Sequence, residues 1–232
     1  MSEMFFNQKF EVEHIDARYL NFELPDIGDL MELICEYPDL RGLNVTIPYK
    51  EQVIPYLNEM DSLARRVGAV NVIRVSQSGG RLHLVGHNSD VVGFRDSIAP
   101  MLHSRHTDAL ILGTGGASKA VACALEDLGI RYTKVSRTPS EGQLGYEQLT
   151  PAVMKQYLVI VNTTPLGMYP DIDRCPDIPY DLLTPDHLCY DLLYNPDRTL
   201  FLKKAAEHGA VTKNGLEMLL LQAFESWRIW NE

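Results

Sequence analysis

Residues 107–137, TDALILGTGGASKAVACALEDLGIRYTKVSR, constrain this chain more than any other stretch. An apolar run leads into Gly113-Thr114-Gly115-Gly116-Ala117-Ser118. An amphipathic, alanine-rich segment follows, and a second strand-like run ends at Val135-Ser136-Arg137-Thr138. Strand, glycine turn, helix and strand within about thirty residues is the length of a βαβ unit. Further strand-like runs, QYLVIVNTTPLG and HLCYDLLYNP, alternate with helical segments around 196–208 and 215–230. Such alternation predicts an α/β chain with a mostly parallel, doubly wound sheet.

The glycine turn carries a chemical expectation. Glycines between an apolar strand and a helix permit a tight turn and let backbone approach a pyrophosphate at the helix N-terminus. A plain strand-to-helix turn is the competing reading, and Ser118 replaces the third glycine-type position. The end of the second strand discriminates further. An NAD site calls for Asp or Glu there, to accept from the ribose 2′-hydroxyl. Arg137, flanked by Ser136 and Thr138, instead suits a 2′-phosphate through forked, charge-assisted hydrogen bonds. The cofactor expected from the residues is NADP, against the alternative of a solvated surface arginine.

The segment before residue 88 forms its own block. DARYLNFEL (16–24) reads as a strand, DIGDLMELICEYP (26–38) as a helix and RGLNVTI (41–47) as a short buried strand. PYKEQVIPYLNEM reads as a helix opened by Pro48. GAVNVIRVS and RLHLVGHN, joined by Gln77-Ser78-Gly79-Gly80, read as a hairpin. A helix from about Asp90 to Leu102 links the blocks.

Composition excludes other classes. The chain has 232 residues, 45% hydrophobic and 22% charged, with a formal net charge of −10. Basic residues are scattered, so neither nucleic acid nor an anionic membrane is expected as a partner. No apolar run approaches the roughly 18 residues of a membrane span, and the first residues have no export signal. The four cysteines are far apart, so reduced thiols in a cytoplasmic protein are expected, with no metal site.

Two polar segments depart from local rules. Lys50, read as lying in the first turn of a helix, opposes the helix dipole, so local stability does not account for it. A proton-transfer lysine and a surface lysine at a frayed helix start are both open. Asn88-Ser89-Asp90 opens the linking helix, where capping is the common reason for such a cluster. A carboxylate there could also hold Lys50. In the last helix Leu216, Leu219, Leu220, Ala223, Phe224, Trp227 and Trp230 share one face. Met218 and Gln222 lie off it and next to each other, either solvated or facing a cleft.

Together these segments resemble the shikimate dehydrogenase family. The residues that carry the likeness are Asn44-Val45-Thr46-x-Pro48-x-Lys50, Gly68-Ala69-Val70-Asn71 and Gly86-x-Asn88-Ser89-Asp90-x-x-Gly93-Phe94. The glycine turn, Ser136-Arg137-Thr138, Asn162-Thr163-x-x-x-Gly167-Met168, Asp191-x-x-Tyr194-x-Pro196 and Asn214-Gly215-Leu216-x-Met218-Leu219-x-x-Gln222 complete it. The resemblance implies reversible, NADP-dependent reduction of 3-dehydroshikimate to shikimate. It implies an N-terminal substrate domain over 1–88, a Rossmann-like cofactor domain over 89–214, and a C-terminal helix, 215–232, returning to the first. By motif, Lys50 and Asp90 become the proton-transfer pair. Ser2, Thr46, Lys50, Asn71, Asp90, Tyr194 and Gln222 become substrate ligands. Gly113, Thr114, Gly115, Gly116, Ala117, Ser118, Ser136, Arg137, Thr138, Asn162, Thr163, Gly215 and Met218 fall to the cofactor. A monomer or homodimer is expected.

The departures are informative. Thr114 and Ser89 stand where the family usually has Ala and Thr. Ser140 stands about where a second phosphate-binding basic residue often occurs. Family members normally open with a strand and a Ser-x-Ser segment that binds the substrate carboxylate. Here only Ser2 can match its second serine, so unpaired backbone edges are expected in the first sheet. The alternatives are a quinate or mixed enzyme, and a catalytically impaired NADP-binding protein. A folate-type dehydrogenase fits the Thr46-x-Pro48-x-Lys50 spacing and Gln222 less well.

Overall fold

The computed structural model describes residues 2–232. The chain opens with α1 (Ser2–Val12), which buries Phe6 and Phe10. Phe6 stacks on Tyr19 with ring centroids 4.9 Å apart, and Phe10 meets Trp227 at 5.4 Å. Residues 16–24, expected as a strand, are extended but join no sheet. A strand-like pattern records fit to a pleated surface, and a ladder also needs a neighbour. Side chains serve part of this backbone instead. Tyr19 N donates to Asn7 Oδ1 at 2.8 Å, Asn7 Nδ2 donates to the Tyr19 carbonyl at 3.0 Å, and the Tyr49 hydroxyl donates to Leu24 O.

After α2 (Leu30–Glu36) come β1 (Gly42–Asn44), β2 (Glu59–Met60), α3 (Ser62–Val67), β3 (Val72–Ser78) and β4 (Arg81–His87). They form a sheet of order β1-β3-β4-β2, with β1 at one margin. The expected hairpin is present, closing through Gly79 and Gly80 at φ 61° and 75°, the left-handed geometry that two-residue hairpin turns require. The helix expected from Pro48 is absent. Residues 47–53 are turns and Ile54–Tyr56 is a single 3-10 turn. Pro55 lacks an N–H and its ring would meet the carbonyl four residues back, so a helix cannot run through it.

The linking helix α4 (Ser89–Ile98) is capped by Asn88, whose Oδ1 accepts from Val91 N at 3.3 Å. Beyond it lie β5 (Asp108–Leu112), α5 (Gly116–Asp127), β6 (Arg131–Ser136), β7 (Leu144–Gly145), α6 (Pro151–Gln156) and β8 (Val159–Asn162). β9 (Leu188–Asp191), α7 (Leu200–Glu207), β10 (Val211–Lys213) and α8 (Leu216–Trp230) complete the chain. The second sheet runs β10-β9-β8-β5-β6-β7, parallel throughout. Its central strands are buried on both faces, which explains their unbroken apolar runs. Ala109, Ile111, Val159, Val161, Leu188 and Tyr190 enter one core with α4 and α5, while Leu110, Leu112, Ile160 and Cys189 enter another with α6 and α7.

α8 crosses α4 closely at Gly93, where a Cβ would lie 2.7 Å from both Gln222 Cγ and the Met218 carbonyl. This corrects the expected burial of the helix. Met218, Ser226 and Ile229 are its buried residues, while Leu216, Leu220 and Phe224 are 39%, 37% and 52% exposed. The helix is apolar around much of its circumference, so periodicity could not choose the inward stripe; the notch at Gly93 does. Gly215, just before α8, would place a Cβ 2.0 Å from the Leu192 carbonyl oxygen. Both partners are backbone and cannot rotate away. Gly215→Ala is therefore expected to cost about 2 kcal/mol of overpacking and to lower the melting temperature by roughly 4–8 °C, readable in a thermal melt.

Candidate active site

Lys50 Nζ lies 2.7 Å from Asp90 Oδ2, and the Asp90 side chain is 8% exposed. The two arrive from different elements. Lys50 sits in the turn series before α3, held by Val70 N donating to its carbonyl at 2.7 Å. Asp90 stands in the first turn of α4, and because Asn88 supplies the cap its carboxylate is free for Lys50. No helix begins at Lys50, so a helix dipole plays no part there; the carboxylate is what holds the ammonium. Asn71 packs beside this pair. Its Oδ1 accepts from Ser89 N at 2.7 Å and its Nδ2 donates to Ser89 Oγ at 3.0 Å, which leaves one amide N–H uncommitted. Met218 and Gln222 lie over Gly93, one helical turn from Asp90.

The glycine turn follows β5 at the centre of the parallel sheet. Chain order reverses there: β6 and β7 lie on one side, β8 to β10 on the other. Ligands of open α/β sheets bind beyond the carboxyl ends of strands at such a reversal. Gly113 has φ 106°, and a Cβ on it would meet Thr163 Oγ1 at 2.9 Å. Gly115 and Gly116 face open space, and no side chain caps the N-terminus of α5. Uncapped amides above a glycine surface make a receptor for phosphate. Arg137 is exposed and has no ion-pair partner among the described residues. Thr138 N donates to Ser136 Oγ at 3.2 Å, shaping the turn that carries it. These residues fit a phosphorylated dinucleotide. Thr114 flanks the same opening. Ala117 is half-buried, and the buried Ser118 donates to Gly115 O at 2.7 Å, so it holds the turn.

A salt bridge joins the two regions. Lys119 on α5 meets Glu51, the neighbour of Lys50, at 2.7 Å. Arg66 on α3 donates to Cys123 O at 2.6 Å and to Asp127 Oδ1 at 2.7 Å. Lys119 lies in the first turn of α5, so the uncapped end stands near Glu51, next to Lys50, while Arg66 contacts the far end of the same helix.

Other expected ligands are placed differently. Asn162 is fully buried, donating to Asp191 Oδ1 at 3.0 Å and accepting from Thr164 N and Oγ1. Its side chain thus holds the loop after β8. Thr163 donates to Leu112 O at 2.7 Å. Gly215 is also buried, and its N donates to Leu193 O at 2.9 Å. It ties α8 to the loop of the half-buried Tyr194. Thr46 is exposed just after β1, and Ser2 opens α1 and is half-buried. Asp191, quoted in the family motif but given no role by the sequence, ties several of these groups together. It accepts from Asn162 Nδ2, from Leu193 N at 3.1 Å and from Thr199 Oγ1 at 2.6 Å. Burial pushes its carboxyl up to about 6, against those hydrogen bonds. The available signal was a polar residue ending each of two otherwise apolar neighbours, VIVN and LCYD.

The family model for the shikimate dehydrogenase substrate binding domain matches residues 1–73. The shikimate dehydrogenase (NADP(+)) of Carboxydothermus hydrogenoformans is 36% identical over 247 residues, covering 98% of this chain and 86% of that protein. The chain belongs to the shikimate dehydrogenase family. Among solved structures, a chorismate mutase/shikimate 5-dehydrogenase fusion protein from Clostridium acetobutylicum superposes with a TM-score of 0.86 at 33% identity, over 99% of this chain and 86% of that one. Shikimate 5-dehydrogenase from Thermus thermophilus, in complex with NADP(H) and shikimate, gives 0.84 at 29%, over 99% and 87%. Shikimate dehydrogenases thus share both its sequence and its two-sheet architecture.

Proposed function

We propose that this chain catalyses the NADP-dependent, reversible reduction of 3-dehydroshikimate to shikimate, with Lys50 and Asp90 as its proton-transfer pair. One observation carries the reading: a half-buried lysine, paired with a buried carboxylate, stands beside an uncapped, glycine-lined helix end, the two joined through Glu51 and Lys119. Residues 1–88 with α8 form the substrate unit in this proposal, and residues 89–214 the cofactor unit.

Bound NADPH supplies the hydride, and NADP+ accepts it in reverse. The protein supplies position, field and protons. Gly113, Gly115, Gly116 and Ala117 present backbone to the pyrophosphate, and Arg137 with Ser136 and Thr138 takes the 2′-phosphate. Met218 packs near the nicotinamide. The Lys50 ammonium faces the ketone oxygen as negative charge builds on it, and then gives that oxygen a proton. Asp90 keeps the lysine oriented and balances its charge. Asn71, through its free N–H, and Thr46, Tyr194, Gln222 and Ser2 hold the other polar groups of the substrate.

The reaction is read directly by absorbance. NADP+ reduction is expected with shikimate, with weaker signals when quinate replaces shikimate or NAD+ replaces NADP+. Bound NADP+ without turnover on shikimate would refute the catalytic reading. The same reading has the protein working in the cytoplasm as a monomer or homodimer. Among the described residues no helix is long and apolar enough to cross a membrane.

A further inference from the structure

We propose that Asp191 is a positioning residue for this reaction, a buried hub that sets the cofactor-side loop after β8 against the substrate-side loop after β9. The inference rests on the proposed function for its activity readout, and on geometry for the rest.

Asp191 and Asn162 are directly paired positions at the ends of neighbouring parallel strands, and both are fully buried. On one side, Asn162 Oδ1 accepts from Thr164 N at 3.0 Å and Thr164 Oγ1 at 2.7 Å. Thr163 and Thr164 are the residues against which Gly113 packs, at 2.9 Å and 3.1 Å from its would-be Cβ. On the other side, Leu193 N donates to Asp191 at 3.1 Å, and the Leu193 carbonyl accepts from Gly215 N at 2.9 Å. Tyr194 is the next residue, and Gly215 leads into the helix of Met218 and Gln222. Thr199 donates to the second carboxylate oxygen at 2.6 Å and caps α7. One side chain therefore connects the glycine turn, the Tyr194 loop and the start of α8.

The chemistry explains why a carboxylate is used. An ionised carboxylate is acceptor-only, so all three donors are satisfied without a competing N–H. No cation pairs with Asp191 among the described residues. The titratable groups around it include the phenols of Tyr190 and Tyr180 and the Cys189 thiol on its own strand, all pushed up by burial. The folded carboxyl near 6 lies above its unfolded value of 3.8. Stability therefore falls as pH rises between those values, and the cost of the charge is full above them.

The test is Asp191→Asn, with Thr199→Val as a milder second variant. At pH 7.5 Asp191→Asn removes the buried charge but sets an amide N–H against buried donors. The two effects oppose each other, so its melting temperature is expected to stay within a few degrees of wild type, at roughly 2–4 °C per kcal/mol of any net change. Its kcat/KM with shikimate is expected to fall at least about 10-fold, since small misplacement at a reacting centre carries penalties of that order or more. Below pH 6 the gap to wild type should narrow as wild-type Asp191 protonates. Amide hydrogen exchange at residues 192–198 should quicken while β5 stays protected; this readout needs no turnover, so it stands if the activity reading itself fails. Thr199→Val should move each quantity the same way by less. Unchanged kcat/KM and unchanged exchange would overturn the proposal. So would a loss of activity that merely parallels a lowered melting temperature at every pH.

Discussion

Lys50→Ala is expected to lower kcat with shikimate by about 10²–10⁴-fold, the usual contribution of a positioned acid–base group, while NADP+ affinity stays within about two-fold. Steady-state kinetics and a binding titration on the same preparation read both quantities. The split follows from the layout. Lys50 reaches Asp90 at 2.7 Å and takes no part in the glycine turn. Removing it also strands the Asp90 carboxylate at a site where its side chain is only 8% exposed. Leaving one partner of a largely buried pair uncompensated is destabilising. Lys50→Met, which keeps most of the volume, therefore belongs beside the alanine variant, as does Lys50→Ala in an Asp90→Asn background. A protein that turns shikimate over at the wild-type rate without Lys50 would sink the assigned proton transfer.

Arg137→Ala should weaken NADP+ about 10–100-fold, the equivalent of roughly 1.5–3 kcal/mol for hydrogen bonds to a charged group, and leave NAD+ nearly unaffected. The difference between the cofactors is the informative quantity, because only one of them carries the 2′-phosphate. Arg137 is exposed and unpaired among the described residues, so its removal breaks no internal contact and the melting temperature should hold. Equal losses for both cofactors would move the phosphate site elsewhere. Ser140, close by, brings no positive charge to share the load.

The parallel sheet was legible because burial on both faces writes unbroken apolar runs, as at Ala109–Leu112 and Val159–Val161. The glycine turn was legible too, but its place at the reversal of strand order is known only from the fold. Where a segment's state depends on a neighbour, pattern alone misled. Residues 16–24 have a strand's composition but join no sheet, and the helix expected after Pro48 ignored the second proline, Pro55. Lys50 was singled out for a helix-dipole effect that does not operate there. Lys50 still stands out in the sequence, because a lysine in that place has no local reason to exist. Asn88 proved to be the cap, which freed Asp90; spacing could not choose among three candidate caps. The inward stripe of α8 and the hub at Asp191 are tertiary facts. One depends on a notch in another helix and the other on two strand ends brought into register from distant parts of the chain.

The close crossing of α4 and α8 has a consequence for biosynthesis. Every strand of both sheets has been translated by Lys213, yet Met218 and Gln222, which lie over Gly93, come later. A nascent chain stalled before α8 has the sequence for its nucleotide-binding face, while its catalytic cleft lacks a wall. On the proposed reading, the cleft is completed only when the last helix has been made.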